Sequence, residues 1–473
     1  MKRLSGWDAM LIYTETDNIP THTLKIAVID VSAYPGQFTF EVFREMLARR
    51  LHRLVPLHYR LVEVPLRLHH PVWVERSELD LDVHLTRVQA PSPGGRRELD
   101  QIIGEIAARP LDRHRPLWHM HFVEGLAGDR VAVVAKVHHA LADGVASANL
   151  IARALDPDVI AEDIEAPLPP VPTPTNAELL RAAARDHLDQ VRKLPALLKA
   201  TAAGVSRVRK RANERGPQPG LARNFHAPKT FLNHVISPKR RFASTSIAFS
   251  DIKETSKRLD VKINDLVLTV VAGALRTLSL RYDGRAEEPM IAHVPSTLNA
   301  DPNRLTGNEL TALNLSLPIH LSEPLDRLRL TALATSLAKE DSELLGPKVE
   351  QSWAGYLPPL AQPVFHRMAR RSARNTMVNL VVSNVPGPRQ RSGLDGALVS
   401  EIYSVGPLIT GSALNITVWS YVDQLNIAVL TDDATVRDPH EVTDAILAAL
   451  VEIRKVAGLS DELTPVRSAL SYV

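Results

Sequence analysis

The sequence predicts an α/β fold built as two halves, and three observations carry that expectation. Strand-like and helix-like segments are mixed along the 473 residues without strict alternation. A stretch running Pro-Leu-Pro-Pro-Val-Pro-Thr-Pro, residues 167–174, interrupts them as a stiff extended linker. The length suits two or more domains of ordinary size. The expected division is an N-terminal domain over 1–160, a linker and basic helical crossover over 161–235, and a C-terminal domain over 236–473.

In the N-terminal half, residues 22–31 read as a first strand. Phe40, Phe43, Leu47, Leu51 and Leu54 fall at helical spacing, so 39–54 is an amphipathic helix. Residues 71–74 and 79–85 look like two strand pieces. Residues 97–109 are helical, with Ile102, Ile103 and Ile106 on one side. A strand over 118–126, a hairpin turn over 125–129 and an apolar strand over 131–137 follow. On the first of these, His119 and His121 share a face because strand side chains alternate. No acid or cysteine beside them completes a recognisable metal-ligand spacing, so no metal site is expected.

The apolar strand ends in Lys136-Val137-His138-His139-Ala140-Leu141-Ala142-Asp143-Gly144. A neutral imidazole can take the proton from a hydroxyl while that oxygen attacks a carbonyl. Asp143 can hold the loop, and Gly144 lets the chain turn into the helix expected over 145–155. The chain carries its own control in His69-His70, where Val74 stands at the position of the acid.

Composition narrows the chemistry. Cysteine is absent, which removes disulfides, thiolate nucleophiles and thiolate metal sites. The formal net charge of +3 is small for this length and does not suggest a nucleic-acid binder. Residues 1–8 have no apolar signal core, and the apolar run over 266–280, interrupted by Thr269 and Arg276, reads as a buried helix rather than a membrane span. Neither a Gly-x-Ser-x-Gly elbow nor a phosphate-cradling glycine motif is found. A cytosolic location fits these features.

Residues 176–215 hold ten Lys and Arg and four acids, a balance of +6, beside an apolar side that includes Leu179, Leu188 and Val191. Such a basic amphipathic helix can lie on an anionic membrane or lipid-droplet surface, or cross between domains as a solvated helix. Beyond it, 241–249 is a strand and 250–259 a short helix with Ser250 as N-cap. Asn264 and Asp265 open the long apolar helix, where either can cap it. Residues 290–296 and 312–318 are strands, and 325–344 and 356–371 helices. Residues 376–385 form a strand ending in Ser383-Asn384-Val385-Pro386-Gly387-Pro388, with Pro386-Gly387 suited to a type II turn. Strands over 401–406, 413–421 and 424–431 read as one meander, and 440–457 is the last helix.

Several of these motifs, in this order, resemble the bacterial wax ester synthase/diacylglycerol acyltransferases, within the superfamily of CoA-dependent acyltransferases and condensation domains. The likeness runs from Leu4-Ser5-Gly6-Trp7-Asp8 through Pro116-Leu117-Trp118, the His138-His139/Asp143-Gly144 set, Asn264-Asp265, Gly307-Asn308 and Ser383-Asn384-Val385-Pro386-Gly387-Pro388, to about residue 458. It implies two chloramphenicol-acetyltransferase-like domains with an active-site channel at their interface. It makes His139 the general base, with His138 and Asp143 supporting its loop and Arg60 a candidate partner for Asp143. Asn384, with Ser383, either supports the oxyanion or shapes the turn; Trp118 is a channel wall or a core residue. His84 is structural. Two departures stand out: His119 replaces the usual acid, and Asn299 stands where the relatives carry arginine. The implied reaction moves a long-chain acyl group from acyl-CoA to a lipid alcohol, with no cofactor. Diacylglycerol is the favoured acceptor and a fatty alcohol the alternative. A non-catalytic lipid-binding protein of the same fold is the reading from another class.

Overall fold

The computed structural model describes every residue except 76, 78, 156–169, 224–225, 365–366, 368–376, 395, 467–469 and 472–473. The start of the proline-rich linker and the end of the helix expected over 356–371 lie outside the described residues.

Two six-stranded sheets organise the chain. The first is ordered β12 (Gly393–Leu394), β13 (Ala397–Val405), β2 (His22–Asp30), β7 (Arg130–His138), β6 (Trp118–Leu126) and β5 (Leu85–Gln89). The second is ordered β10 (Leu310–Leu317), β9 (Met290–Thr297), β11 (Leu380–Val385), β14 (Leu414–Tyr421), β15 (Gln424–Thr431) and β8 (Arg241–Ala248). A small sheet joins β1 (Lys2–Arg3), β4 (Val72–Val74) and β3 (Arg60–Val62).

The helices are α1 (Gly6–Thr14), α2 (Phe40–Arg50), α3 (Leu81–His84), α4 (Arg96–Ala108), α5 (Gly144–Ala154), α6 (Asn176–Arg215), α7 (Phe249–Leu259), α8 (Ile263–Tyr282), α9 (Pro324–Leu345), α10 (Val349–Ala354) and α11 (His440–Val456). Among the described residues, eight helices fall where the sequence pattern predicts them, and α1, α3 and α10 are additions to that pattern. Helix α4 turns Leu99, Ile103 and Ile106 into the core under the first sheet. Helix α8 is apolar and long enough to cross a membrane by composition, but Leu266, Ala272 and Leu275 are fully buried in the core of the second sheet. Glycines let α6 and α9 approach closely: a Cβ on Gly204 would lie 2.3 Å from Leu345 O.

Five local expectations are corrected. Strand β13 does not form a meander with β14 and β15; it runs antiparallel to β2, from Leu398 opposite Asp30 to Val405 opposite Leu24. The eight-residue connection 406–413 is longer than a hairpin needs, and Glu401 on β13 is buried against Arg96 of α4. A strand from the C-terminal segment thus completes the N-terminal sheet. Residues 81–84 form a helical turn, because Asp80 accepts from Asp82 N at its start. Ser250 is not an N-cap, since α7 begins at Phe249. Lys262 occupies the cap position of α8, so neither Asn264 nor Asp265 caps that helix. Gly387 lacks the left-handed φ of a type II turn. It is small for a different reason: a Cβ there would meet Ser420 O at 2.2 Å and Trp419 Nε1 at 2.3 Å.

Candidate active site

Strand β7 delivers His138 at its last residue, and the next five residues turn into α5. His138 is fully buried. Its Nδ1 accepts from Ala140 N at 3.1 Å, and its Nε2 lies 3.0 Å from Thr21 Oγ1. The Thr21 hydroxyl donates to Leu11 O at 2.9 Å, so it accepts from His138. The proton of a neutral His138 ring therefore sits on Nε2, and neither nitrogen is left to act as a base. Glu15 Oε2 stands 3.6 Å beyond. Burial would raise the Glu15 carboxyl, but the His138 ring and the Arg113 guanidinium, 2.6 Å away, outweigh it and hold the group well below the usual carboxylate range. His138 is thus a pillar between the loop and a partly buried ion pair.

His139 is placed differently. Its backbone N donates to Thr21 O at 2.9 Å, and its carbonyl accepts from Asn308 Nδ2 at 2.8 Å. The ring Nδ1 is buried without a hydrogen bond of good geometry, and the backbone acceptor acting on the ring is the residue's own carbonyl. Nε2 makes no hydrogen bond among the described residues and remains accessible. Burial pushes the imidazole down to about 4, with the Lys25 ammonium adding to the shift. At neutral pH the ring is uncharged, as a general base requires.

Asp143 holds the loop at its other end. Its Oδ1 accepts from Ala146 N at 2.9 Å and caps α5, and its Oδ2 accepts from Glu309 N at 3.1 Å. Arg304 Nη2 donates to both carboxylate oxygens at 2.8 Å. Arg60 does not reach Asp143; it bonds Thr173 instead. The partner comes from the loop between β9 and β10, which also gives Gly307 N to Leu141 O at 2.8 Å. Asn308 in that loop donates to Asp8 Oδ1 at 2.6 Å as well; burial raises the Asp8 carboxyl to about 6. One loop of the second half therefore grips both ends of the histidine loop.

A cavity of about 220 Å³ opens beside the loop, between the start of α5 and the second sheet. Asp143 and Gly144 line one side; Asn264, Ser383, Asn384 and Thr297 line the other. Asn384 Nδ2 lies 3.4 Å from Asn264 Oδ1. A Cβ on Gly144 would come within 3.1 Å of Val385 Cγ2, so the glycine keeps this gap open. Asp265 does not line it and has one buried carboxylate oxygen unpartnered. Trp118 is a core residue: its Nε1 donates to Leu57 O at 2.7 Å and its ring stacks on His84. Its neighbour Leu117 touches the site, accepting from His138 N at 2.9 Å. A second, apolar cavity of about 160 Å³ lies between α2, α5 and the first sheet, lined by Phe43, Met46, Val133, Ile151, Leu155 and Ile402, with Lys25 at its wall. Lys25 is buried, pushed down to about 8 by that burial, and donates to Ser404 Oγ at 2.5 Å.

Sequence reasoning missed Arg304, Glu15, Thr21 and Lys25. None has a local signal, because each acquires its role from a partner more than a hundred residues away, as Arg304 does from Asp143, or from burial in the assembled sheet.

A two-lobed α/β protein with a neutral, accessible imidazole on a clamped loop at the seam defines a histidine-dependent transfer enzyme class. The comparisons make it specific. The wax ester synthase/diacylglycerol acyltransferase catalytic domain matches residues 4–267, and the C-terminal domain of the same family matches 306–454. The chain belongs to that family. It is 51% identical over 472 residues, the whole of both chains, to a Mycobacterium tuberculosis H37Rv protein named "Putative diacyglycerol O-acyltransferase". It is 32% identical to the "O-acyltransferase WSD" of Acinetobacter baylyi, over 76% of this chain and 78% of that one. Among solved structures, the wax ester synthase/diacylglycerol acyltransferase of Marinobacter aquaeolei VT8 superposes with a TM-score of 0.66 at 26% identity, covering 97% of this chain and 100% of that one. The first condensation domain of the calcium-dependent antibiotic synthetase, at 14% identity and a TM-score of 0.57 over 97% of each chain, shares the fold.

Proposed function

We propose that the chain is an O-acyltransferase moving a long-chain acyl group from acyl-CoA to diacylglycerol, forming triacylglycerol and CoA. The observation that carries this reading is His139: a neutral ring with an accessible Nε2, on a loop gripped from both halves. In the proposed step, Nε2 takes the hydroxyl proton of the alcohol as its oxygen attacks the thioester carbonyl. The tetrahedral oxyanion collapses, the carbon–sulfur bond breaks, and the imidazolium returns its proton to the CoA thiolate. Asn384, at the cavity beside the loop, is the candidate donor to the oxyanion. The apolar cavity lined by Phe43 and Met46 supports a long hydrocarbon tail. Protons balance between His139 and the two substrates, so the step needs no cofactor.

The second reading, a fatty alcohol as acceptor giving a wax ester, is supported by the family's dual description. We also propose a cytoplasmic enzyme that works at a membrane or lipid-droplet surface. Helix α6 spends Arg211 and Arg215 on Glu340 and Asp341 of α9. Elsewhere along it, Leu188, Val191 and Leu198 are 58%, 68% and 51% exposed beside Arg192, Lys193 and Lys199, the composition of an interfacial surface. If replacing Leu188, Val191 and Leu198 by serine leaves binding to anionic liposomes unchanged, the surface proposal fails.

The deciding assay is CoA release from palmitoyl-CoA, with diacylglycerol or hexadecanol offered in parallel and His139→Ala as control. Acceptor-dependent release lost in the variant is expected. Release that persists in His139→Ala, or none with either alcohol, overturns the reading.

A further inference from the structure

His119 and His121 project from the face of β6 opposite the apolar cavity. A separate cavity of about 370 Å³ opens there, between the first sheet and the C-terminal end of α4. His121 is 8% exposed, and both of its ring nitrogens are buried with no hydrogen-bond partner. An imidazole so placed has an unmet need for a donor and an acceptor, and the open space supplies neither. The His119 ring lies 4.6 Å away and is tethered to Thr86 Oγ1 at 2.8 Å. Lys136 Nζ donates to Arg109 O at 2.7 Å and Ile106 O at 3.3 Å, which leaves one of its three N–H groups. Arg109 and Arg115 stand at the rim.

The charge around His121 has one sign. That charge comes from Lys136 and Arg109, while burial keeps the His119 ring uncharged at neutral pH, and no carboxylate offsets the two cations at His121. Of the two acids that line the cavity, Asp112 faces Arg115 at 3.4 Å and Glu105 accepts from Gln101. A cation would be repelled by Lys136 and Arg109, and among the described residues no group of three ligating side chains is set to hold a metal. A tetrahedral oxyanion has the complementary needs. It accepts hydrogen bonds in several directions, and here His121, Lys136 and Arg109 line one cavity from β6, β7 and the residue after α4.

We propose that this cavity is a binding site for the phosphate group of an anionic ligand, separate from the His138–His139 loop. The observations define a phosphate monoester or diester, which can come from the nucleotide of an acyl donor or from a phospholipid headgroup. The experiment titrates the purified full-length protein calorimetrically with inorganic phosphate, adenosine 3′,5′-bisphosphate and glycerol 3-phosphate. Saturable binding at one site is expected. It should weaken about tenfold or more in Arg109→Gln, the loss of roughly one charge-assisted contact, and further in His121→Leu. Because Arg109 is exposed, its variant remains informative if His121→Leu unfolds. Tighter binding of the nucleotide identifies the donor as the source, tighter binding of glycerol 3-phosphate identifies a headgroup, and equal binding a site that reads phosphate alone. No binding of any of the three, or binding indifferent to Arg109→Gln and Arg115→Gln together, overturns the proposal.

Discussion

Replacing Arg304 with methionine tests the claim that Asp143 serves as an anchor. The pair is buried, with the side chains 7% and 3% exposed, and both contacts are 2.8 Å. Removing one partner of a buried ion pair costs about 3–5 kcal/mol, mostly from the charge left behind. Asp143 would still accept from Ala146 N and Glu309 N, which lowers the expected loss to roughly 2–4 kcal/mol. Asp143→Asn keeps a good N-cap but removes the charge. In a double-mutant cycle read by urea unfolding, the two changes should couple by about 2 kcal/mol or more. The coupling should barely respond to salt, since the pair is shielded from solvent. Turnover in either variant should fall further than the folded fraction does, because His139 depends on the loop being held. A coupling below about 0.5 kcal/mol would refute the reasoning, leaving Asp143 as a helix cap and Arg304 as incidental.

Other outcomes follow from the same geometry. With the His139 ring pushed down to about 4, kcat/KM should stay level from pH 8 to pH 6 and decline only towards pH 4; a fall centred near 6.5 would show an unburied base. His22, pushed by burial to about 3, makes folding stability drop in the same direction. Both folded values lie below the unfolded 6.5, so stability is intact above that pH and lost below it, by about 1.4 kcal/mol per pH unit for each group, measurable by urea titration between pH 7 and 5. Asn308→Ala removes the donors to His139 O and Asp8 Oδ1 and should cost about 1–3 kcal/mol in stability with a greater loss in kcat than in acyl-CoA KM. Gly144→Ala should cost about 1–3 kcal/mol by crowding Val385; an unchanged melting point would mean that Val385 gives way freely.

The parts of this molecule that sequence exposed are those whose physics is local. The apolar period of β7, the helix α5 that follows the Asp143-Gly144 turn and the 40-residue span of α6 are written in neighbouring residues, and the structure places each where that pattern says. Adjacent residues also separated His138-His139 from the acid-free pair His69-His70, which the structure uses differently: His70 bonds Tyr13 and Gly355 O. The tautomer of His138 could not be read this way, because it is fixed by Thr21 and by the direction of that hydroxyl's own bond to Leu11 O.

The largest error has an origin outside the local sequence: β13 belongs to a sheet begun some 370 residues earlier. A short strand that mixes apolar residues with Ser400, Glu401 and Ser404 does not report which sheet buries it. The same limit hid Arg304. A guanidinium in a loop of Asp, Pro and Asn looks like solvent-exposed charge until Gly307 pairs with Ala142 and brings it onto Asp143. Asn299 O accepts from Arg304 Nη2 at 3.3 Å, so the loop folds back and returns a cation to the place where Asp143 requires one. The buried carboxylate at the start of α5 is matched by a buried positive charge, which the loop between β9 and β10 supplies as Arg304.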